Sequence, residues 1–144
     1  MSTGPAQAAW TALLSPSARA VDVPTQARYR RSLRSQLEQL PAGVTVALHD
    51  RRPLSRGRCR RLARRSGLVV QREFVALPSL RRTVYVVEDD RASMRFAWSH
   101  LITPPPGAVW LHAPLSLLIA AGRLLPWWAL GCLAPGRVVL VSRP

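Results

Sequence analysis

Residues 55–79, SRGRCRRLARRSGLVVQREFVALPS, decide the fold class that the sequence predicts. The segment opens with arginines at six of its first eleven positions and then becomes apolar. Ser55 stands where a helix N-cap is expected and Gly67 where a helix ends, so a helix is predicted over 55–66. The run at 68–77 is typical of a buried strand. A helix that leads directly into a strand indicates an α/β layered fold.

Strand-like and helix-like segments alternate outward from this stretch. Further helices are predicted at 25–40, with Thr25 as the expected cap, and at 89–102. Further strands are predicted at 18–23, 44–49, 83–88 and 136–142. This alternation predicts a small, mostly parallel sheet with flanking helices.

The predicted domain organisation is simple. Residues 1–17, rich in Ala, Ser and Pro, are expected to be a flexible N-terminus. Residues 18–144 are expected to form a single α/β domain with a hydrophobic helical insertion at about 89–135.

The composition excludes a disordered tail and indicates an anionic partner. The 144 residues are 48% hydrophobic and carry a net charge of +14, a field that attracts nucleic acid or anionic membranes. All 21 basic residues are arginine, with no lysine or asparagine, so GC-rich coding is an alternative explanation of the charge. The distant Cys59 and Cys132 are expected to be reduced thiols, and no signal peptide is visible, which indicates a cytoplasmic protein.

The segment 51–65 holds eight arginines and no acidic residue, so we predict that it binds an anion. The alternative is an outer helix whose arginines are only solvated. Base-specific recognition is not expected, because the segment has no Asn or Gln to read base edges. The candidate anion-binding residues are Arg51, Arg52, Arg56, Arg58, Arg60, Arg61, Arg64 and Arg65.

His49 and Asp50 are the candidate catalytic residues, because they fall at the carboxyl end of a predicted strand, where open α/β sheets bind ligands. His49 would act as a base, with Asp50 as its orienting or hydroxyl-binding group. The alternative is a strand end that is polar only because it is solvent-exposed. The histidines lack metal-ligand spacing and no Gly-x-Gly is present, so we predict neither a metal nor a cofactor.

The apolar stretch 111–133 is long enough to span a bilayer, but Pro114, Pro126 and the central Arg123 argue against a span. A broken helix pair or a lid on a membrane surface fits better. Trp110, Trp127 and Trp128 are predicted to contact a hydrophobic partner or a membrane. The expected partner is another protein or a second copy of the chain, and peripheral membrane contact is the alternative.

Three segments carry a family resemblance: AGVTVALHDRRPLS (42–55), RCRRLARRSGLVVQREFVALPSLRR (58–82) and APGRVVLVSRP (134–144). Their order resembles the carboxyl-terminal half of class I S-adenosylmethionine-dependent methyltransferases. The resemblance implies a Rossmann-like half-domain whose antiparallel last strand completes the sheet edge. It also implies that residues 81–135 are an insertion covering the substrate side.

The glycine-rich cofactor loop of that family has no counterpart here. The resemblance therefore implies an accessory or binding protein in a biosynthetic pathway that does not bind S-adenosylmethionine alone. Two alternatives stay open: an arginine-rich protein that binds nucleic acid or an anionic membrane surface non-specifically, and a small enzyme that uses His49 and Asp50.

Overall fold

The computed structural model describes residues 15, 17–52, 55–77, 80, 83–101, 110, 112–133 and 136–144. The strands are β1 (Arg19–Asp22), β2 (Thr45–Asp50), β3 (Val69–Leu77), β4 (Tyr85–Glu88) and β5 (Arg137–Ser142). The helices within these ranges are α1 (Ala27–Glu38), α2 (Arg56–Arg65), α3 (Arg91–His100), α4 (His112–Leu124) and α5 (Trp127–Leu133). Apart from residues 15 and 17, the terminus predicted to be flexible lies outside the described residues.

The strands form one open mixed sheet in the order β1-β2-β5-β3-β4. The α/β class and the antiparallel last strand are confirmed, since β5 runs antiparallel to both β2 and β3. The prediction of a mostly parallel sheet is wrong, because only β1 and β2 pair in parallel while β4 pairs antiparallel with β3. The expectation that the last strand completes the sheet edge is also wrong, because β5 is the central strand.

The alternation of strands and helices in the sequence does not give a mostly parallel sheet here, for two structural reasons. β2 and β3 do point the same way, as a strand–helix–strand unit requires, but β5 lies between them and separates them. β4 follows β3 after a short connection and turns back along it, which gives an antiparallel pair.

Helices α1 and α2 pack on one face of the sheet. Leu33 and Leu37 of α1 and Cys59 and Ala63 of α2 are buried in the same apolar cluster. This cluster includes Val46, Leu48, Val139 and Val141 from β2 and β5. The remaining surface of α2 is mostly arginine, so a thin apolar stripe holds the helix against the sheet.

A second cluster joins α3 and α5 to the other end of the sheet through Val75, Val87, Met94, Ala97 and Leu130. The helix predicted at 89–102 is α3, and it begins with a side-chain cap, because the Asp90 carboxylate accepts hydrogen bonds from the backbone N–H groups of Ala92 and Ser93 at 2.8 and 3.0 Å.

Helix α4 lies outside this layer and contacts α3. The indole N–H of Trp98 donates to the Ile119 carbonyl at 3.2 Å. Gly122 is buried, and a Cβ at this position would overlap the Trp98 ring. A glycine is therefore what lets α4 approach α3 this closely.

Candidate anion-binding groove

A groove of about 480 Å³ lies between α1 and α2. Two apolar side chains, Val23 and Leu62, contribute to its wall. Its other lining residues are all arginines: Arg30, Arg31, Arg34, Arg52, Arg58, Arg61 and Arg65. We call this feature the arginine groove.

Helical spacing explains why so many arginines converge. Arg58, Arg61 and Arg65 are three and four residues apart on α2, so they share one helix face. Arg30 and Arg34 are four residues apart on α1 and face the same groove. Each helix buries its apolar stripe against the sheet and leaves an arginine stripe at the boundary between the two helices.

All seven acidic side chains of the chain lie within the described residues, and each is already engaged. Asp90 caps α3. The ion pairs join Asp22 to Arg51, Glu38 to Arg34, Asp50 to Arg52 and Arg58, Glu73 to Arg56, Arg60 and Arg137, Glu88 to Arg72, and Asp89 to Arg56 and Arg137. No acidic side chain is left over to neutralise the rest of the arginines.

Four of the groove arginines, Arg30, Arg31, Arg61 and Arg65, form no ion pair within the part of the chain that the structure describes. Three of these side chains are exposed, and Arg30 is half-buried. The Arg61 guanidinium donates to the Gly57 carbonyl at 3.0 Å, and no described carboxylate neutralises its charge. The arginine groove therefore combines three arginines that pair with internal carboxylates and four that do not, and it is a candidate site for an anion.

The structure divides the predicted arginine patch 51–65 into two groups. Five of its members pair with acidic side chains: Arg51, Arg52, Arg56, Arg58 and Arg60. The other three pair with no described acidic side chain: Arg61 and Arg65 line the arginine groove together with the paired Arg52 and Arg58, and Arg64 lines a separate pocket beside β3. The sequence reasoning missed the α1 arginines as binding candidates, although their position on the polar face of the predicted helix 25–40 was a usable signal.

His49 and Asp50 both line one cavity, but their side chains have different partners. Adjacent strand residues point to opposite faces, and Asp50 accepts hydrogen bonds from the Arg52 and Arg58 guanidiniums at 2.9 and 3.2 Å. Burial alone would raise the pKa of Asp50, but these hydrogen bonds outweigh it and hold the pKa below its ordinary value. Asp50 thus ties the end of β2 to the start of α2.

The carboxylate beside His49 is Asp22, which ends the parallel neighbour β1. His49 Nδ1 lies 3.8 Å from Asp22 Oδ1, and the imidazole is fully buried. Burial is the main cause that lowers the pKa of His49 to about 4, so the ring is neutral at pH 7. The two residues border a cavity of about 420 Å³ whose wall also includes Thr25 and Tyr29. The catalytic role of His49 and Asp50 stays a prediction.

The three tryptophans predicted to meet a partner have different environments. Trp127 packs against the core cluster of α3 and α5, and the Arg56 guanidinium stacks 4.9 Å from its ring centroid. Trp110 and Trp128 are exposed.

A buried charge cluster holds α5 against the sheet. Arg137, at the start of β5, is 1% exposed and pairs with Glu73 on β3 and with Asp89. Its second guanidinium nitrogen donates to the Gly131 carbonyl in α5 at 2.7 Å. The charges of this cluster pair with each other inside the protein. The cluster therefore stabilises the packing of β3, β5 and α5.

Within the described ranges, no helix combines the length and the apolar character that crossing a bilayer requires. The same residues contain no cluster of three side chains suited to hold a metal ion. A scan against protein-family models finds no match for this chain, and neither does a comparison with curated proteins or with solved structures.

Proposed function

We propose that the protein binds nucleic acid through the phosphate backbone in the arginine groove, without reading base sequence. The observation that carries the proposal is the set of four groove arginines without a carboxylate partner, in a chain whose acidic side chains are all engaged. Guanidinium groups match phosphate geometry with paired N–H donors, so phosphate is the natural counter-ion for such a groove.

The spacing of the arginines favours a polymer over a single phosphate. Arg61 and Arg65 are one helical turn apart, about 6 Å along the axis of α2. Arg30 and Arg31 approach from the opposite wall. Successive phosphates of a nucleic-acid backbone could each contact a different one of these groups.

The lining residues also explain the lack of base specificity. Among the described residues that line the groove there is no Asn or Gln to pair with base edges and no aromatic ring on which a base could stack. The binding energy would come mainly from release of counterions, so affinity should fall steeply as salt rises.

A charge-matched pair of variants tests the proposal. The groove variant carries Arg31→Gln, Arg61→Gln and Arg65→Gln. The control carries Arg64→Gln, Arg91→Gln and Arg95→Gln, which remove the same charge from exposed positions outside the groove. Fluorescence anisotropy with several unrelated duplexes, from low to physiological salt, gives the affinity and its salt dependence.

We expect the groove variant to lose three phosphate contacts, which lowers the slope of log K against log salt by about 2 to 3. The control should keep most of the wild-type slope. Equal losses in both variants would show that total charge matters and the groove does not. A preference for one duplex of more than about a hundredfold at physiological salt would mean true sequence reading.

A second candidate is an accessory protein built on a methyltransferase-like scaffold. The segments that carry the resemblance form β2, α2 with β3, and β5, which are neighbours in the sheet. The antiparallel direction of β5 supports this candidate, and its central position departs from the expected edge strand. Because the sequence lacks the Gly-x-Gly of the cofactor loop, the role in this second proposal is binding or accessory and not catalytic.

A further inference from the structure

Helix α4 presents an apolar face that no described residue covers. It packs inward through Leu115, Ile119 and Gly122, which share one side of the helix. The opposite side is exposed, with Leu117 at 73% and Leu124 at 88% of their full accessible surface. The exposed large apolar residues of α4 and of the sequence next to it are Trp110, Leu117, Leu118, Leu124, Leu125 and Trp128. We call this set the α4 face.

We infer that the α4 face rests on an anionic lipid bilayer as a peripheral contact. This inference is independent of the arginine groove, because the two surfaces share no residue.

The positive charge of the protein favours an anionic bilayer over a second copy of the chain as the partner of the α4 face. From residue 91 to residue 144 the sequence contains no Asp or Glu and five arginines, of which Arg123 is exposed on α4 itself. Nothing on this part of the chain repels anionic headgroups, and the net charge of +14 attracts them. A second copy of the chain is disfavoured as the occupant, because each copy carries the same large positive charge.

The geometry fits a helix that lies in the membrane plane. Its 13 residues extend about 20 Å, which is shorter than the roughly 30 Å hydrocarbon layer. Leucines of such a helix enter the boundary between headgroups and acyl chains. Trp110 and Trp128, one on either side of α4 in the sequence, are the residue type that prefers this boundary.

Vesicle flotation of the full chain tests the inference. The vesicles are pure phosphatidylcholine, or phosphatidylcholine with about a third phosphatidylserine. The α4 variant carries Leu117→Gln, Leu118→Gln and Leu124→Gln, all at exposed positions. The control carries Val69→Thr and Val84→Thr, which reduce exposed apolar surface elsewhere. Thermal unfolding followed by circular dichroism verifies that each variant folds.

We expect the wild type and the control to float with anionic vesicles, and the α4 variant to bind them at least tenfold more weakly. The groove variant defined above should still float, which separates failure of this inference from failure of the proposed function. Equal flotation of the α4 variant and the wild type would overturn the inference. So would equal binding to uncharged vesicles, or a wild-type dimer in light scattering that the α4 variant dissociates.

Discussion

His49 and Asp50 are adjacent in the chain and have opposite electrostatic environments. Asp50 is charged and surrounded by guanidinium donors, whereas His49 is buried in its neutral form beside Asp22. A sequence can show that two titratable residues follow a strand. It cannot show which strand supplies the neighbouring carboxylate, because that depends on the pairing of β1 with β2.

The buried imidazole makes stability sensitive to acid. The unfolded chain binds a proton at His49 below about pH 6.5, while the folded chain does so only below about pH 4. Between these values the proton favours unfolding, so stability falls as the pH falls through this window. We expect a loss of about 2 to 3 kcal/mol from pH 7 to pH 4.5 that His49→Gln lacks.

Urea unfolding of the wild type and His49→Gln at several pH values measures this difference. The other titratable groups are common to the two proteins, so the difference between their stability curves isolates the contribution of His49. Parallel stability curves for the two proteins between pH 7 and 4.5 would contradict the neutral assignment of His49.

The arginines show the same limit of sequence reasoning. The segment 51–65 has a uniform charge in the sequence, yet Arg60 pairs with Glu73 and Arg65 does not pair with any described acid. Which arginine stays available depends on the helix face it occupies and on the strand opposite. The α1 arginines enter the site only because α1 packs beside α2 on the same face of the sheet.

At the scale of elements, most helices and strands could be predicted, because hydrophobic periodicity decides them. The predicted strand 68–77 is β3, which spans Val69–Leu77, and Gly67 ends α2 with a φ of 68°. Caps were harder to predict. Thr25 is not the cap of α1, which begins after Gln26, and neither Gln26 nor Ser55 makes a side-chain capping hydrogen bond.

Two helical glycines have opposite roles, and a single substitution at each distinguishes them. Gly57 in α2 has room for a methyl group, whereas Gly122 in α4 lies against the Trp98 ring. We expect Gly57→Ala to raise the free energy of unfolding by about 0.5 kcal/mol through helix propensity. We expect Gly122→Ala to lower it by about 1 to 3 kcal/mol through overpacking against α3.

Chemical denaturation with tryptophan fluorescence measures both changes, since Trp98 reports on the contact directly. A neutral or stabilising Gly122→Ala would mean that α4 does not pack against α3 in the way described.

At the scale of the whole molecule, the fold class and the antiparallel direction of the last strand could be predicted, whereas the central position of β5 and the direction of β4 could not. Alternating strands and helices indicate layers, but the pattern carries no information on a late strand entering between two earlier ones. The placement of β5 depends on long-range contacts, such as those of Val139 and Val141 with the buried residues of α1 and α2. A local sequence pattern does not reveal contacts between such distant segments.

The whole chain also lacks the element that a methyltransferase cofactor requires. None of its eight glycines form the Gly-x-Gly that is typical of such a cofactor loop. We expect calorimetric titration of the protein with S-adenosylmethionine to show no binding. An affinity in the micromolar range would restore an enzymatic interpretation.

The central position of β5 has a consequence for how the protein folds. β1 with β2 and β3 with β4 form two separate pairs, and residues 137–142 are the link between them. Until those residues dock, β2 and β3 each keep an unpaired edge, which is a template for association with other chains. The closing contacts also span long sequence separations, which slows folding. During synthesis the β1–β2 and β3–β4 pairs are therefore complete before β5 is made. Until β5 docks between them, their unpaired edges must be protected if the nascent chain is to fold and not aggregate.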